Sequence, residues 1–181
     1  MTTLSLSKRR NRIGENDILV CKIDLQGVLT YANDAFVRAY GSDEHSLVGH
    51  RHNFLRHPDM PRSIFAAVWH RLQDGAETFA LLQNRGSDDT DYWTFAQFSP
   101  CRDSGNRVTG YHIVQRWVSP DATSEVTPLY RRLREAELSA GDGDPGLIAG
   151  NSMLDDHLTQ QHQDYDEFVL TLTLQHDPQA A

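Results

Sequence analysis

Four polar side chains of different chemistry fall within seven residues in the first third of the chain: Asn53, Arg56, His57 and Asp59. Together they offer an amide, a cation, an imidazole and a carboxylate, which can hold a polar or anionic ligand through directed hydrogen bonds. The alternative is structural, with Asp59 capping a helix and pairing with Arg56. The sequence therefore indicates either the wall of a pocket or a local ion pair.

A helix directly after this cluster must position it. Pro61 favours the first position of a helix, and Gly75 favours a left-handed stop. Apolar residues recur at helical spacing between them, which predicts a helix with one face in the core. These residues are Ile64, Phe65, Val68, Trp69 and Leu72.

Other reactive groupings in the sequence are incomplete. His50, His52 and His57 form the densest histidine group, yet no cysteine or spaced acidic pair completes a set of metal ligands. The chain has no phosphate loop, nucleophile elbow or dinucleotide glycine fingerprint. Ser63 lies in the first turn of the predicted helix, which is an ordinary place for serine. We therefore predict no bound metal ion and no enzymatic activity.

The elements around the helix predict an α+β fold. Two strand-like segments flank the turn Asp24-Leu-Gln-Gly27, and three more follow the helix, separated by the turn-rich loops GSDDTD and DSGN. Asn33 and Ser42 are suited to start short helices between the two groups of strands. This order predicts a five-stranded antiparallel sheet with short helices on one face and a C-terminal helical extension. The predicted strands are 18–24, 28–32, 78–85, 92–101 and 107–118.

Charge divides the chain into a folded region and an acidic tail. All 17 Lys and Arg residues lie at or before Arg134, whereas ten of the 25 acidic residues follow it. The first 134 residues are therefore near +2 and the last 47 at −10. Helices are predicted to begin at Pro128 and Ser152. We divide the chain into an N-terminal flank (1–13), the sheet domain (14–120), a helix and linker (121–150) and an acidic C-terminal helix (151–181).

The tail has apolar residues that nearly keep a heptad: Leu154, Leu158, Tyr165, Phe168 and Leu172. A lone helix of this kind is marginal in water, so we expect it to cover an apolar surface on its own sheet or on a second copy. We therefore expect a homodimer.

Composition also restricts partners and location. The only basic cluster lies within residues 8–12, so we do not expect nucleic acid as a partner. Apolar runs are too short for a membrane span or a signal, and we expect neither a membrane partner nor a membrane anchor. Cys21 and Cys101 lie far apart in strand-like segments, which fits a reducing cytoplasm.

The stretch from Gly14 to Val118 resembles a PAS domain, in particular the flavin-binding PAS domain of bacterial aerotaxis receptors. The resemblance covers a little over half of the chain, and its most specific piece is Arg56-His-Pro-Asp-Met-Pro61. Other matching pieces are Tyr31-Ala-Asn-Asp-Ala-Phe36, Leu47-Val-Gly49, Asn84-Arg85, Tyr92-Trp93 and Gly110-Tyr111. The chain departs from that subfamily at Glu77-Thr78, where a Pro-Trp pair is usual, and we expect Phe79 to replace the missing aromatic in part.

The resemblance implies that the sheet and its helices enclose FAD, with Arg56 holding the pyrophosphate and Asn84 the polar edge of the ring. Heme, with His57 or His52 as axial ligand, and a cofactor-free interaction module are the alternatives. The implied role is a free-standing redox or oxygen sensor that signals to a separate partner protein. The cofactor contacts implied by position are Asn33, Arg56, His57, Asp59, Phe65, Trp69 and Asn84.

Overall fold

The centre of the molecule is an antiparallel sheet of five strands in the spatial order β2-β1-β5-β4-β3. The computed structural model describes residues 13–41, 44–52 and 56–176. The predicted α+β fold is confirmed, and every predicted strand end agrees with the structure to within one residue. The strands are β1 (Ile18–Ile23), β2 (Leu29–Ala32), β3 (Thr78–Arg85), β4 (Asp91–Arg102) and β5 (Val108–Trp117).

Two helices and a short 3₁₀ turn separate β2 from β3. The Asn33 side chain caps the first helix as predicted, because its Oδ1 accepts a hydrogen bond of 2.9 Å from the backbone N–H of Phe36. The predicted cap at Ser42, the basic cluster of residues 8–12 and Asn53 lie outside the described residues. The elements are α1 (Asp34–Tyr40), the 3₁₀ turn (Glu44–Ser46) and α2 (Arg62–Gln73).

The two faces of the sheet have different neighbours. Trp69 of α2 makes an edge-to-face contact with Tyr111 at a centroid distance of 5.5 Å, so we call the Tyr111 side of the sheet the inner face. Phe79 points to the other side, the outer face, where its ring stacks on Phe95 at 5.7 Å. Phe79 therefore does not replace the missing aromatic on the side of α2, and that expectation is wrong.

Three helices follow the sheet: α3 (Pro120–Ala140), α4 (Asp144–Gln161) and α5 (Tyr165–Gln175). The predicted helix start at Pro128 is wrong, because α3 begins at Pro120, with the Ser119 side chain as its cap, and Pro128 lies inside it. The predicted start at Ser152 is also wrong, because Asp144 and Pro145 already open α4. The segment predicted as one acidic helix contains the end of α4, a break at His162 and all of α5.

The tail packs against its own chain. Helix α4 lies against α2 and α3, and α5 lies against β3 and α3. Several apolar tail residues belong to the hydrophobic core of the described residues, so packing within the chain already covers them. These residues are Leu154, Tyr165, Phe168, Val169 and Leu172. The expected homodimer stays a prediction. Within the described ranges, no helix is long and apolar enough to cross a membrane.

Candidate functional site

A chain of three buried polar side chains crosses the inner face of the sheet. Asn84 of β3 donates its Nδ2 to Thr94 Oγ1 in β4 at 3.0 Å, and Thr94 Oγ1 donates to Gln115 Oε1 in β5 at 2.8 Å. All three residues are buried. Asn84 was predicted as a cofactor contact from sequence, whereas Thr94 and Gln115 were not. Their only sequence signal is polarity at positions where strand alternation places the side chain in the core.

The series of hydrogen bonds from Asn84 to Gln115 ends in a donor without a partner. Gln115 is 1% exposed, and its Nε2 has no hydrogen-bond partner among the described residues. A buried amide without a hydrogen-bond partner costs about 1–3 kcal/mol, and such groups are rare in native proteins. The inner face therefore carries an N–H group suited to a ligand with a carbonyl or ring-nitrogen acceptor.

A pocket of about 340 Å³ lies between α2 and the turn that joins β1 to β2. Phe65 and Trp69 of α2 supply aromatic faces, and Arg51 supplies an exposed cation at the pocket. The volume is at the lower end of the range for small-molecule sites. The pocket is lined by Leu25, Gln26, Gly27, Arg51, His52, Phe65, Trp69 and Gln73.

His52, which lines this pocket, has a buried polar atom without a partner. Its Nε2 is buried and has no hydrogen-bond partner among the described residues, and its ring lies 6.3 Å from that of Phe36 between centroids. Burial lowers the pKa of His52 to about 4. The imidazole is therefore neutral near pH 7.

Arg56 does not line the pocket but contacts Phe65, which does. Its Nη2 donates a hydrogen bond of 2.6 Å to the carbonyl oxygen of Met60, and its guanidinium lies 4.7 Å from the centre of the Phe65 ring. Burial lowers the pKa of Arg56, although a guanidinium remains charged at any physiological pH. Arg56 is thus a half-buried cation directly behind one wall of the pocket.

His57 and Asp59 lie at the edge of the sheet. The His57 Nε2 is 2.6 Å from Arg85 Nη2 and 3.3 Å from Asp91 Oδ2, and its Nδ1 accepts from the backbone N–H of Asp59 at 3.1 Å. The Asp59 side chain is 80% exposed. The structure does not bring these two residues to the pocket, and their cofactor role remains a prediction.

Asn33 is also not one of the residues that line the pocket. Besides capping α1, its Oδ1 accepts from Val20 N at 3.0 Å and its Nδ2 donates to Ile18 O at 2.9 Å. These bonds tie the start of α1 to β1. Of the seven predicted contacts, Phe65 and Trp69 therefore line the pocket, Arg56 lies behind it, and Asn84 belongs to the inner-face chain. No cluster of three possible metal ligands occurs in the part of the chain that the structure describes.

The sheet and the helices around it match a known protein family. A sequence model of the PAS fold matches residues 16–133, and the chain belongs to this family. The aerotaxis receptor of Escherichia coli (strain K12) is 31% identical over 134 residues, which cover 74% of this chain and 26% of the receptor. The chain thus spans about a quarter of that relative.

Solved structures of light-oxygen-voltage domains have a similar fold. One, from a study of a flavin analogue and the mechanism of such a domain, superposes with a TM-score of 0.55 at 22% identity, over 61% of this chain and 83% of that one. The light state of the blue-light photoreceptor Aureochrome1 gives a TM-score of 0.55 at 21% identity, over 63% of this chain and 90% of that one. At this identity the similarity supports the fold alone.

Proposed function

We propose that this chain is a non-enzymatic PAS sensor that binds FAD between α2 and the inner face of the sheet and reports redox or oxygen status to a separate protein. The observation that carries the proposal is the buried chain from Asn84 through Thr94 to Gln115 with its unsatisfied Nε2. The polar edge of an isoalloxazine ring has carbonyl and ring-nitrogen acceptors that match such a donor. The 31% identity to an aerotaxis receptor adds support for a role in sensing oxygen or redox status.

The remaining residues fit a flavin nucleotide. Phe65 and Trp69 offer aromatic faces for stacking, and Arg51 and Arg56 offer guanidinium groups for a pyrophosphate. A pocket of about 340 Å³ is too small to enclose a whole dinucleotide, so part of an FAD would lie outside it. When bound, the flavin would supply reversible electron transfer, and the residues of this chain would bind and orient it.

One observation favours the alternative, a cofactor-free interaction module. The polar groups of Asn33 and His57 are engaged in internal contacts, and Asp59 faces solvent. A PAS domain with no cofactor could have such a cluster for structural reasons alone. The two functions differ in one measurable property, which is flavin affinity.

An absorbance spectrum of the purified chain, before and after incubation with FAD, tests the proposal. We expect flavin bands that bleach with a reductant and return in air. A protein that is colourless and neither gains flavin absorbance nor quenches flavin fluorescence would support the interaction module. A Soret band would indicate heme instead.

A matched pair of glutamine variants tests whether the Gln115 amide binds the flavin ring. Gln115→Leu removes the unsatisfied amide and should weaken flavin binding about tenfold, because one hydrogen bond to the ring is lost. Gln97→Leu is the control, because Gln97 lies on β4 and donates at an exposed site to Glu77 at 2.9 Å. Equal flavin affinity in the two variants would contradict the placement of the ring at Gln115.

A further inference from the structure

The N-terminus of α2 is capped by a residue from a distant helix. Pro61 occupies the N-cap position and makes no side-chain cap. Instead, the backbone N–H groups of Arg62 and Ser63 donate to Glu137 of α3 at 3.0 and 2.9 Å, and Ser63 Oγ donates to the same carboxylate at 3.0 Å. Free N–H groups and the positive end of the helix dipole favour a carboxylate at this position.

The Glu137 carboxylate is deeply buried. The residue is 2% exposed, and the Arg134 guanidinium lies 3.5 Å from Oε2 on the same helix. A buried carboxylate is strongly unfavourable unless hydrogen bonds compensate its charge. Removing this carboxylate would leave the donors at the start of α2 without partners.

Helix α4 packs over this cap, and we call residues 120–161 the capping hairpin. Gly150 of α4 permits the contact, because a Cβ atom there would lie 2.8 Å from Glu137 Cγ and 3.1 Å from Ser63 Cβ. Arg62 Nη1 also donates to the carbonyl oxygen of Gly143 at 2.9 Å. The hairpin and the start of α2 therefore form one fitted unit.

Arg56 is anchored to the same turn of α2. Its partners are the carbonyl oxygen of Met60, next to the N-cap, and the ring of Phe65, which lines the pocket. The Glu137 charge opposes the effect of burial on the pKa of Arg56, which indicates that the two groups interact electrostatically. A change in the first turn of α2 would therefore move Phe65, which lines the pocket, and Arg56 behind it.

We propose that Glu137 is a positioning residue that couples docking of the capping hairpin to ligand binding beside Arg56 and Phe65. For the identity of the ligand, the inference rests on the proposed function. Coupling between two sites is reciprocal, so a ligand that fixes the start of α2 tightens the docked hairpin by the same factor. The capping hairpin is then the element through which occupancy of the pocket reaches the surface of the protein.

Hydrogen exchange and flavin titration of three full-length proteins test this coupling. Glu137→Gln removes the charge with little change of shape, and Glu135→Gln makes the same charge change at an exposed position of α3. Compared with wild type, Glu137→Gln should speed exchange in peptides covering residues 60–65 and 144–161 and weaken FAD binding about tenfold. Glu135→Gln should change neither.

The reciprocal measurement separates coupling from mere stability. Adding FAD should slow exchange in residues 144–161 of the wild type and of Glu135→Gln, but not of Glu137→Gln. If Glu137→Gln does not fold, Gly150→Ala displaces the Glu137 side chain while keeping its charge, and it should give the same pair of effects.

The outcomes distinguish this inference from the proposed function. If the wild type binds FAD and Glu137→Gln binds it equally well, the coupling is overturned and the proposed function stands. If the wild type binds no FAD, the proposed function fails, and exchange alone decides the inference. Joint loosening of residues 60–65 and 144–161 would then support the linkage, and loosening of only one of them would overturn it.

Discussion

The hydroxyl group of Tyr130 in α3 donates a hydrogen bond of 2.9 Å to the backbone carbonyl oxygen of Leu81 in β3. Strand β3 is at the edge of the sheet, where unpaired backbone groups could bind a strand of another molecule. Asp166 of α5 similarly accepts from the backbone N–H of Phe79 at 3.2 Å. The C-terminal helices therefore cover part of this edge with side chains instead of a sixth strand.

Tyr130→Phe should lower the free energy of unfolding by about 1–2 kcal/mol, because the buried carbonyl of Leu81 loses a hydrogen bond while the ring packing is kept. Urea denaturation followed by circular dichroism measures this difference. Tyr31→Phe is the control, since Tyr31 is 44% exposed and its change should stay within about 0.5 kcal/mol. Equal midpoints for the two variants would show that the Tyr130 hydroxyl group does not stabilise the edge.

Asp166→Asn should destabilise the attachment of α5. The carboxylate accepts from Thr78 Oγ1 at 2.7 Å and pairs with Arg71 Nε at 3.0 Å, and its side chain is only 18% exposed. Hydrogen bonds to a mostly buried charged group contribute about 1.5–3 kcal/mol, so we expect a loss in that range together with faster proteolysis in α5. Asp156→Asn, an exposed change in α4, should leave both measurements unchanged.

The strands could be predicted from sequence because their signals are local. The alternation of Thr78–Arg85 and the turn residues after it define a strand and a hairpin without reference to the rest of the chain. Helix α3 was harder, because the chain has two cap-and-proline pairs, at Ser119 and at Thr127. The first begins the helix because Ala122 and Val126 are buried, and burial depends on tertiary contacts.

The site was predictable only in part for the same reason. Phe65 and Trp69 follow from helical spacing, and Asn84 follows from the family resemblance. The cap on α2 joins Ser63 to Glu137 across 74 residues of sequence, and no local pattern indicates such a pair. The hydrogen bond between Thr94 and Gln115 depends on the register of β4 and β5, which a single sequence does not define.

Cys21 should be inert to thiol reagents in the native protein. The residue is fully buried in β1, and burial raises the pKa of its thiol well above the ordinary value. Cys101 is partly exposed, so it should account for the native reaction with a disulfide reagent. In Cys101→Ser, colour should develop only on unfolding in urea, and reaction of the native variant at the rate of a free thiol would contradict the burial of Cys21.

Stability should depend on pH through His52. Its pKa is lowered to about 4 in the folded chain, whereas an unfolded histidine titrates near the ordinary value of 6.5. Between these values the unfolded state binds more protons, so the free energy of unfolding rises with pH and the full stability is present above about pH 6.5. The shift corresponds to about 3 kcal/mol across this window.

Urea midpoints between pH 4 and 7 should show this slope in the wild type and in the control His70→Phe, whose histidine is exposed. His52→Phe keeps a ring against Phe36 and removes the titrating group, so its midpoints should rise less steeply with pH than those of the wild type over the same range. An unchanged slope in His52→Phe would mean that another group causes the pH dependence and that the His52 ring is not buried in a neutral state.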